Sequence, residues 1–153
     1  MTERTLVIIK PDGVQRHLMG EILGRLERKG LKLVAAKFTQ VSHELSRQLY
    51  SVHQGRTFHE GQVNFLASSP VLVMVWEAEG VISMVRRLMG ATFGYDAEAG
   101  TIRGDLGCSQ GYNLVHGSDS VESADREISL FFEPAEIVEY ELTDAKWLYG
   151  KNE

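Results

Sequence analysis

The stretch Thr5-Leu-Val-Ile-Ile-Lys-Pro-Asp-Gly13, TLVIIKPDG at residues 5–13, gives the first signal of the fold. Its first five residues are mostly β-branched and apolar on both faces, which predicts a short buried strand. The Lys-Pro-Asp-Gly sequence that follows predicts a turn. A lysine is therefore expected in the loop at the end of a buried strand.

Downstream of residue 13, apolar spacing predicts alternating helices and strands. A helical repeat runs from Met19 to the basic pair Arg28-Lys29 and another from Val81 to Met89, each followed by a glycine. Shorter helices are predicted from the N-cap Ser42 to Tyr50, at about 60–67 and after Pro134. Extended patterns predict strands at about 31–41, 71–76 and 128–132.

The predicted element order is β-α-β-β-α-β, with the middle helices as an insertion. That order predicts an α/β (α+β) protein, a ferredoxin-like sandwich whose four-stranded antiparallel sheet has helices packed on one face. A parallel, doubly wound sheet is the second choice.

The chain has the length of one ordinary domain. Its 153 residues and 17.1 kDa are enough to bury one core, so we expect a single domain over 1–153. Seven of its fifteen glycines fall between Gly90 and Gly117, which predicts a long glycine-rich loop of functional importance. A C-terminal tail is expected from about 140 to 153, where Trp147-Leu-Tyr149 is apolar enough to dock on a surface.

Composition excludes several classes of protein. A formal net charge of −5 argues against a broad nucleic-acid surface, although a few converging cations would still bind a small anion. The longest apolar run, Val71 to Trp76, is too short to cross a membrane, and the N-terminus lacks signal-peptide features. The single cysteine, Cys108, excludes an internal disulfide. We expect a cytoplasmic protein.

Four basic residues are candidates for binding phosphate. Lys10 follows a strand, Arg86 and Arg87 lie in the helix that ends at Gly90, and Arg103 lies in the glycine-rich loop. Guanidinium groups grip phosphoryl oxygens bidentately and lysine adds a point charge, although each of these residues taken alone is more typical of a solvated charge or an ordinary salt-bridge partner. The two common glycine-rich ATP-binding motifs are missing, so side chains would have to hold any nucleotide.

His116, in Asn113-Leu-Val-His-Gly-Ser-Asp-Ser120, is either a core histidine or a nucleophile. A neutral imidazole carries a lone pair that can attack phosphorus, and Glu127 could orient the ring through its other nitrogen. Phe58 either stacks on a base or packs back on the core. The other histidines lack metal-ligand spacing, so no metal site is predicted on the chain itself.

Four motifs identify the chain as similar to nucleoside diphosphate kinases. They occur in the family's order over a resemblance that runs from about Arg4 to Tyr149: Lys10-Pro-Asp-Gly-Val-Gln-Arg16, Thr101-Ile-Arg-Gly-Asp105, Asn113-Leu-Val-His-Gly-Ser-Asp-Ser120 and Arg126-Glu-Ile-Ser-Leu-Phe131. The resemblance implies ping-pong transfer of a γ-phosphate from a nucleoside triphosphate such as ATP to a nucleoside diphosphate, through a phosphohistidine at His116.

The same resemblance implies roles for ten residues. His116, Ser118 and Glu127 would form the catalytic group, with the last two holding the imidazole. Nucleotide binding would fall to Lys10, Tyr50, Phe58, Arg86, Thr92, Arg103 and Asn113. Mg²⁺ would arrive with the nucleotide, and the protein would be a homo-oligomer, a hexamer in preference to a tetramer.

Two positions depart from the family pattern, and two other functions compete with the enzyme. Thr92-Phe-Gly-Tyr95 differs from the usual turn, which affects expected subunit packing, and Gln110 stands where many members place an aliphatic residue against the base. A phosphohistidine carrier acting on proteins is one alternative. A non-enzymatic nucleic-acid module is the other, and the acidic charge and the missing aromatic strand signature disfavour it.

Overall fold

The computed structural model of the chain describes residues 2–51, 55 and 59–151. Four strands lie in this part of the chain: β1 (Thr2–Ile9), β2 (Lys32–Thr39), β3 (Val71–Glu79) and β4 (Val115–Gly117). Seven α-helices accompany them there: α1 (Pro11–Gln15), α2 (Met19–Arg28), α3 (His43–Leu49), α4 (His59–Leu66), α5 (Val81–Met89), α6 (Ile102–Leu106) and α7 (Val121–Phe131).

The strands form one antiparallel sheet in the order β2-β3-β1-β4. This order, together with β-α-β-β-α-β connectivity, confirms the predicted ferredoxin-like sandwich. β1 lies between β3 and β4, and its residue Ile8 pairs with His116 on β4. The sheet thereby places the candidate histidine next to the strand that ends at Lys10.

Helices cover both faces of the sheet, so the prediction that they pack on one face is wrong. On β1, Val7 and Ile9 join a core with α2 and α5, whereas Leu6 and Ile8 join a second core with α3, α4 and α7. The reason is visible in the strand itself. Residues 5–9 are buried at every position, and a strand that is apolar on both sides requires a layer on each.

The predicted strand at 128–132 is wrong, because residues 128–131 form the end of α7 and Phe132 is its C-cap. Ala124, Glu127, Ile128 and Phe131 form the buried face of that helix, with helical spacing. The helix begins where the Ser120 hydroxyl accepts a hydrogen bond from the backbone N–H of Ser123. The fourth strand is the three-residue β4, which is too short to show a period of its own.

Two predicted loops contain regular structure. The turn predicted at Lys10-Pro-Asp-Gly13 is the start of α1, with Pro11 in the first helical turn and Asp12 beside it. The long loop predicted at 90–117 holds a 3₁₀ turn at Gly94–Asp96, then α6 and β4. Short segments of this kind carry too few residues for apolar periodicity to reveal them.

The remaining predictions of helices agree with the structure within a residue or two. Gly30 and Gly90 follow α2 and α5 with φ of 92° and 86°, the left-handed region that favours glycine. The Ser42 hydroxyl accepts from the N–H of Leu45 at the start of α3. After Pro134 the helix is a single 3₁₀ turn.

The C-terminal tail lies along the β2 side of the sheet. Val138 N–H donates to the Val34 carbonyl over 2.8 Å, and Leu148 packs against Gly30. Trp147 is 81% exposed, so only part of the predicted docking segment is covered. Among the described residues, no helix combines the length and the apolar character needed to cross a membrane.

Candidate functional site

His116 lies on β4 and is held by a carboxylate on α7. Its Nε2 lies 2.8 Å from Oε1 of Glu127, and the same oxygen accepts a 2.9 Å hydrogen bond from the hydroxyl of Ser118. Because a carboxylate oxygen with two such neighbours is an acceptor, Nε2 carries the hydrogen and the lone pair lies on Nδ1. The imidazole side chain is 17% exposed, whereas that of Glu127 is 7% exposed.

The fold, rather than local sequence, brings these three groups together. Ser118 follows β4, and its hydroxyl also accepts from the backbone N–H of Leu6 on β1, over 3.2 Å. Glu127 lies on the buried face of α7, which packs on the same strand. The expected contact between Glu127 and the imidazole is present, with the acid on a helix instead of at a strand end.

Lys10 and Asn113 form the second part of the site. The ammonium Nζ of Lys10 donates a 2.8 Å hydrogen bond to Oδ1 of Asn113. Burial is the main reason that the pKa of Lys10 falls from 10.5 to about 8, and the positive charge of Arg103 lowers it further. An anion bound beside Lys10 would attract its ammonium charge and so compensate for the solvation that the group loses on burial.

Arg103 is committed mainly to the backbone of the glycine-rich loop. Its Nε donates to the Asn113 carbonyl at 3.1 Å, Nη1 to Gly90 at 3.1 Å and Nη2 to Val115 at 2.7 Å. A guanidinium has five N–H donors, so two remain for a ligand. Burial and the nearby charge of Arg86 lower the pKa of Arg103 to about 10.

Arg86 and Thr92 border the same region. Nη1 of Arg86 donates to the carbonyl of Gly117 over 3.3 Å, while the residue remains exposed. The carbonyl of Thr92, rather than its hydroxyl, accepts a 2.9 Å hydrogen bond from Nδ2 of Asn113. The structure therefore brings Arg86, Arg103 and Lys10 around one stretch of chain, residues 113–117.

Of the two predicted aromatic residues, one is described by the structure. The Tyr50 ring lies edge-on to His116, with centroids 6.2 Å apart and an interplanar angle of 86°. Burial and the Glu127 carboxylate raise the pKa of Tyr50, so its hydroxyl stays neutral. Phe58 lies outside the described residues, and its predicted stacking on a base remains a prediction.

Sequence reasoning missed a second aromatic contact beside the site. Phe65 of α4 and Tyr112 stack with centroids 4.3 Å apart and planes within 5° of parallel. The pair joins α4 to the loop that carries Asn113. Gln110 donates its amide N–H to the hydroxyl of Tyr95, so this departure from the family pattern has a partner within the loop. Neither pair has a spacing signal in the sequence.

The assembled groups suit attack on a phosphoryl group. An imidazole nitrogen with a lone pair lies on β4, a carboxylate behind the ring can stabilise a positive imidazole, and three cations lie on nearby elements. Amine and guanidinium donors fit phosphate oxygens and repel a metal ion. Within the described chain, no cluster of three or more His, Cys, Asp or Glu side chains is arranged to hold a metal.

Comparisons with known proteins agree with this chemistry. The family model described as nucleoside diphosphate kinase matches residues 3–137. A nucleoside diphosphate kinase of Staphylococcus carnosus is 55% identical over 147 residues, covering 96% of this chain and 98% of its own length. One of Crocosphaera subtropica is 54% identical over 147 residues, which cover 96% of this chain and 99% of that protein.

A solved structure matches the fold over nearly its whole length. The halophilic nucleoside diphosphate kinase from Halobacterium salinarum, in complex with CDP, superposes with a TM-score of 0.95 at 47% identity. The match covers 98% of this chain and 100% of that one.

Proposed function

The chain belongs to the nucleoside diphosphate kinase family of phosphotransferases, and on that premise we propose that it works by a ping-pong mechanism through a phosphohistidine at Nδ1 of His116. The observation that carries the proposal is the hydrogen bond between Nε2 of this ring and Glu127. It leaves the lone pair on Nδ1 and places a negative charge behind the ring.

The first half-reaction forms a P–N bond. Nδ1 attacks the γ-phosphorus of a nucleoside triphosphate, the bond from that phosphorus to the β,γ-bridging oxygen breaks, and a nucleoside diphosphate leaves. The Glu127 carboxylate stabilises the positive charge on the ring, and Ser118 holds the carboxylate in place. In the second half-reaction a β-phosphate oxygen of another nucleoside diphosphate attacks phosphorus, and the P–N bond breaks.

The nucleotide-binding residues have separate roles in this proposal. Lys10 and Asn113 contact the ribose and the moving phosphate, which fits their hydrogen bond at the end of β1. Arg86, Thr92 and the two remaining N–H donors of Arg103 bind phosphates, Tyr50 supports Lys10, and Phe58 stacks on the base. A relative solved in complex with CDP supports a nucleoside diphosphate as ligand.

Mg²⁺ belongs to the nucleotide in this proposal. Lys10, Arg86 and Arg103 around residues 113–117 are cationic, so the oxygen ligands of the metal would come from the phosphates and not from these side chains. When bound, the metal supplies charge neutralisation on the phosphate chain. The protein groups orient the nucleotide and exclude water around Nδ1. A homo-oligomer, as a hexamer in preference to a tetramer, and a cytoplasmic location complete the proposal.

Labelling with γ-³²P-ATP tests the phosphohistidine. We expect an acid-labile, alkali-stable label on the wild type that is chased by GDP or dTDP, and no label on His116→Ala. His43→Ala is the matched control, because His43 is exposed at the start of α3 and lies outside the site. It should label like the wild type.

Two outcomes would contradict this proposal. Full labelling of His116→Ala would remove His116 as the nucleophile. Label that passes to proteins but not to nucleoside diphosphates would favour the phosphocarrier alternative.

A further inference from the structure

Leu114 has a strained backbone two residues before His116. Its φ is 73°, in the left-handed region that residues other than glycine rarely adopt. Across it, the N–H of Val115 donates to the Asn113 carbonyl over 2.8 Å. A hydrogen bond from residue i+2 to residue i around a central residue with this φ marks the rarer, strained form of the γ-turn.

Both backbone polar groups of Leu114 are held by the segment that follows β1. Its N–H donates to Oδ2 of Asp12 over 3.1 Å, and its carbonyl accepts from the N–H of Lys10 over 2.8 Å. Leu114 is fully buried, so water cannot replace either partner. A strained turn persists when its surroundings determine it from several sides, and Asp12 supplies one of those sides.

The γ-turn sets the direction of two functional side chains. Asn113, before the turn, directs its Oδ1 to Nζ of Lys10. His116, after it, enters β4 opposite Ile8 and meets Glu127. Relaxing the turn to an ordinary backbone conformation would rotate one of these residues relative to the other.

We propose that Asp12 is a positioning residue, which holds the γ-turn at Leu114 through its Oδ2 and so fixes Asn113 and His116 relative to the bound phosphate. The inference rests on the proposed phosphotransfer and adds a residue to it. Asp12 itself touches neither the phosphorus nor the attacking nitrogen in this proposal.

The charge of Asp12 has a second, separable effect on Lys10. The charged groups that act on Lys10 are Arg103, which lowers its pKa, and Asp12, which raises it. Removing the negative charge while keeping an acceptor oxygen should therefore lower the pKa of Lys10 below its present value of about 8. The ammonium form of the free enzyme would then be lost at lower pH.

Two substitutions separate the hydrogen bond from the charge. Asp12→Asn retains an oxygen acceptor for Leu114 and removes the charge, whereas Asp12→Ala removes both. Gln15→Ala is the matched control, because Gln15 lies on the same short helix and its exposed side chain donates a hydrogen bond to Ser69. Thermal unfolding and circular dichroism of each variant establish that it is folded.

We expect Asp12→Ala to lower kcat by about a hundredfold at pH 6.5, the scale of a small misplacement of reacting groups. Asp12→Asn should restore kcat to within about threefold of the wild type, since the geometry returns. The alkaline limb of its kcat/KM profile should nevertheless lie at lower pH than that of the wild type. The reason is that the pH dependence of kcat/KM reports pKa values of the free enzyme, here that of Lys10. Gln15→Ala should match the wild type throughout.

Amide hydrogen exchange at Leu114 gives a readout that does not depend on activity. Exchange should be slow in the wild type and in Asp12→Asn, and at least about tenfold faster in Asp12→Ala. Wild-type kcat in Asp12→Ala, or equal damage in both Asp12 variants at pH 6.5, would overturn the inference. If the wild type formed no phosphohistidine, the proposed function would fail, while Leu114 exchange would still decide whether Asp12 holds the turn.

Discussion

Lys10 places a positive charge where only about 7% of the residue is exposed. Burial costs this ammonium its solvation, and the hydrogen bond to Asn113 offsets only part of that cost. The buried charge therefore lowers the stability of the fold, and the proposed binding of an anionic nucleotide would compensate for that loss. Such a conflict between stability and binding is typical of a functional residue.

The pH dependence of stability should reveal this conflict in Lys10→Met. The folded pKa of about 8 lies below the ordinary lysine value of 10.5, so between these pH values the unfolded chain binds more protons than the folded one. The titration of Lys10 therefore raises the unfolding free energy of the wild type as the pH rises from about 8 to 10.5. Lys10→Met has no such titration. The unfolding free energy of the variant relative to the wild type should fall by about 2 kcal/mol between pH 7 and pH 10.

Urea unfolding of both proteins at the two pH values measures that difference. Comparing them cancels the titrations that they share. A difference that does not change with pH would show that Lys10 keeps its ordinary pKa in the fold. Lys10→Met should also lose nucleotide binding at pH 7, since the ammonium is absent.

At the scale of elements, α5 and β4 approach each other at Gly117. A Cβ added there would lie 2.5 Å from Sδ of Met89 and 3.3 Å from a methyl carbon of Val85. The glycine after His116 thus serves packing of the helix that carries Arg86. The absence of a side chain at this glycine lets the side of that helix approach the strand.

Gly117→Ala should therefore destabilise the protein by about 1–3 kcal/mol, the usual cost of overpacking. Because α5 must shift, phosphate binding by Arg86 should weaken as well. Gly20→Ala is the matched control, since its added Cβ meets nothing within 4 Å in α2. Alanine in that helix should stabilise by about 0.5–1 kcal/mol.

Thermal or chemical unfolding of the two glycine variants provides the test. The same glycine-to-alanine change affects the unfolded chain equally in both, so their difference reports the folded packing. Equal stability of the two variants would contradict close contact between α5 and β4.

At the scale of the whole molecule, apolar surface remains uncovered on the chain. β2 is an edge strand of the sheet, and Phe38 on it is 58% exposed. Trp147 in the tail is 81% exposed. Exposed apolar side chains of this size are a feature that proteins usually cover.

We expect a solution mass of six times the 17.1 kDa of one chain. In such an assembly, burial of the exposed apolar side chains between subunits would supply the stabilising free energy. Sedimentation velocity or mass photometry at micromolar concentration measures the mass directly. A tetramer would contradict the preference for a hexamer, and a monomer would contradict the predicted oligomer.

Local patterns predicted much of the fold. Continuous apolar runs identified β1 and β3, and helical spacing identified α2 and α5, because each is long enough to show its period. α7 was misread because Ile128, Leu130 and Phe132 alternate as in a strand. The buried face of the helix also includes Ala124 and Glu127, a small residue and a charged one, which do not mark an apolar face in the sequence.

The ten candidate site residues came from motif identity and chemical type, which the sequence by itself displays. It determined that an imidazole, an acid and several cations were available, and that the fold was a four-stranded sandwich. Only the tertiary structure decided that Nε2 faces Glu127 and that Arg103 is spent largely on three carbonyls. These contacts join residues on different elements, which the fold brings together. A hydrogen bond between two such residues leaves no repeating pattern in the sequence, so it cannot be predicted from residue spacing.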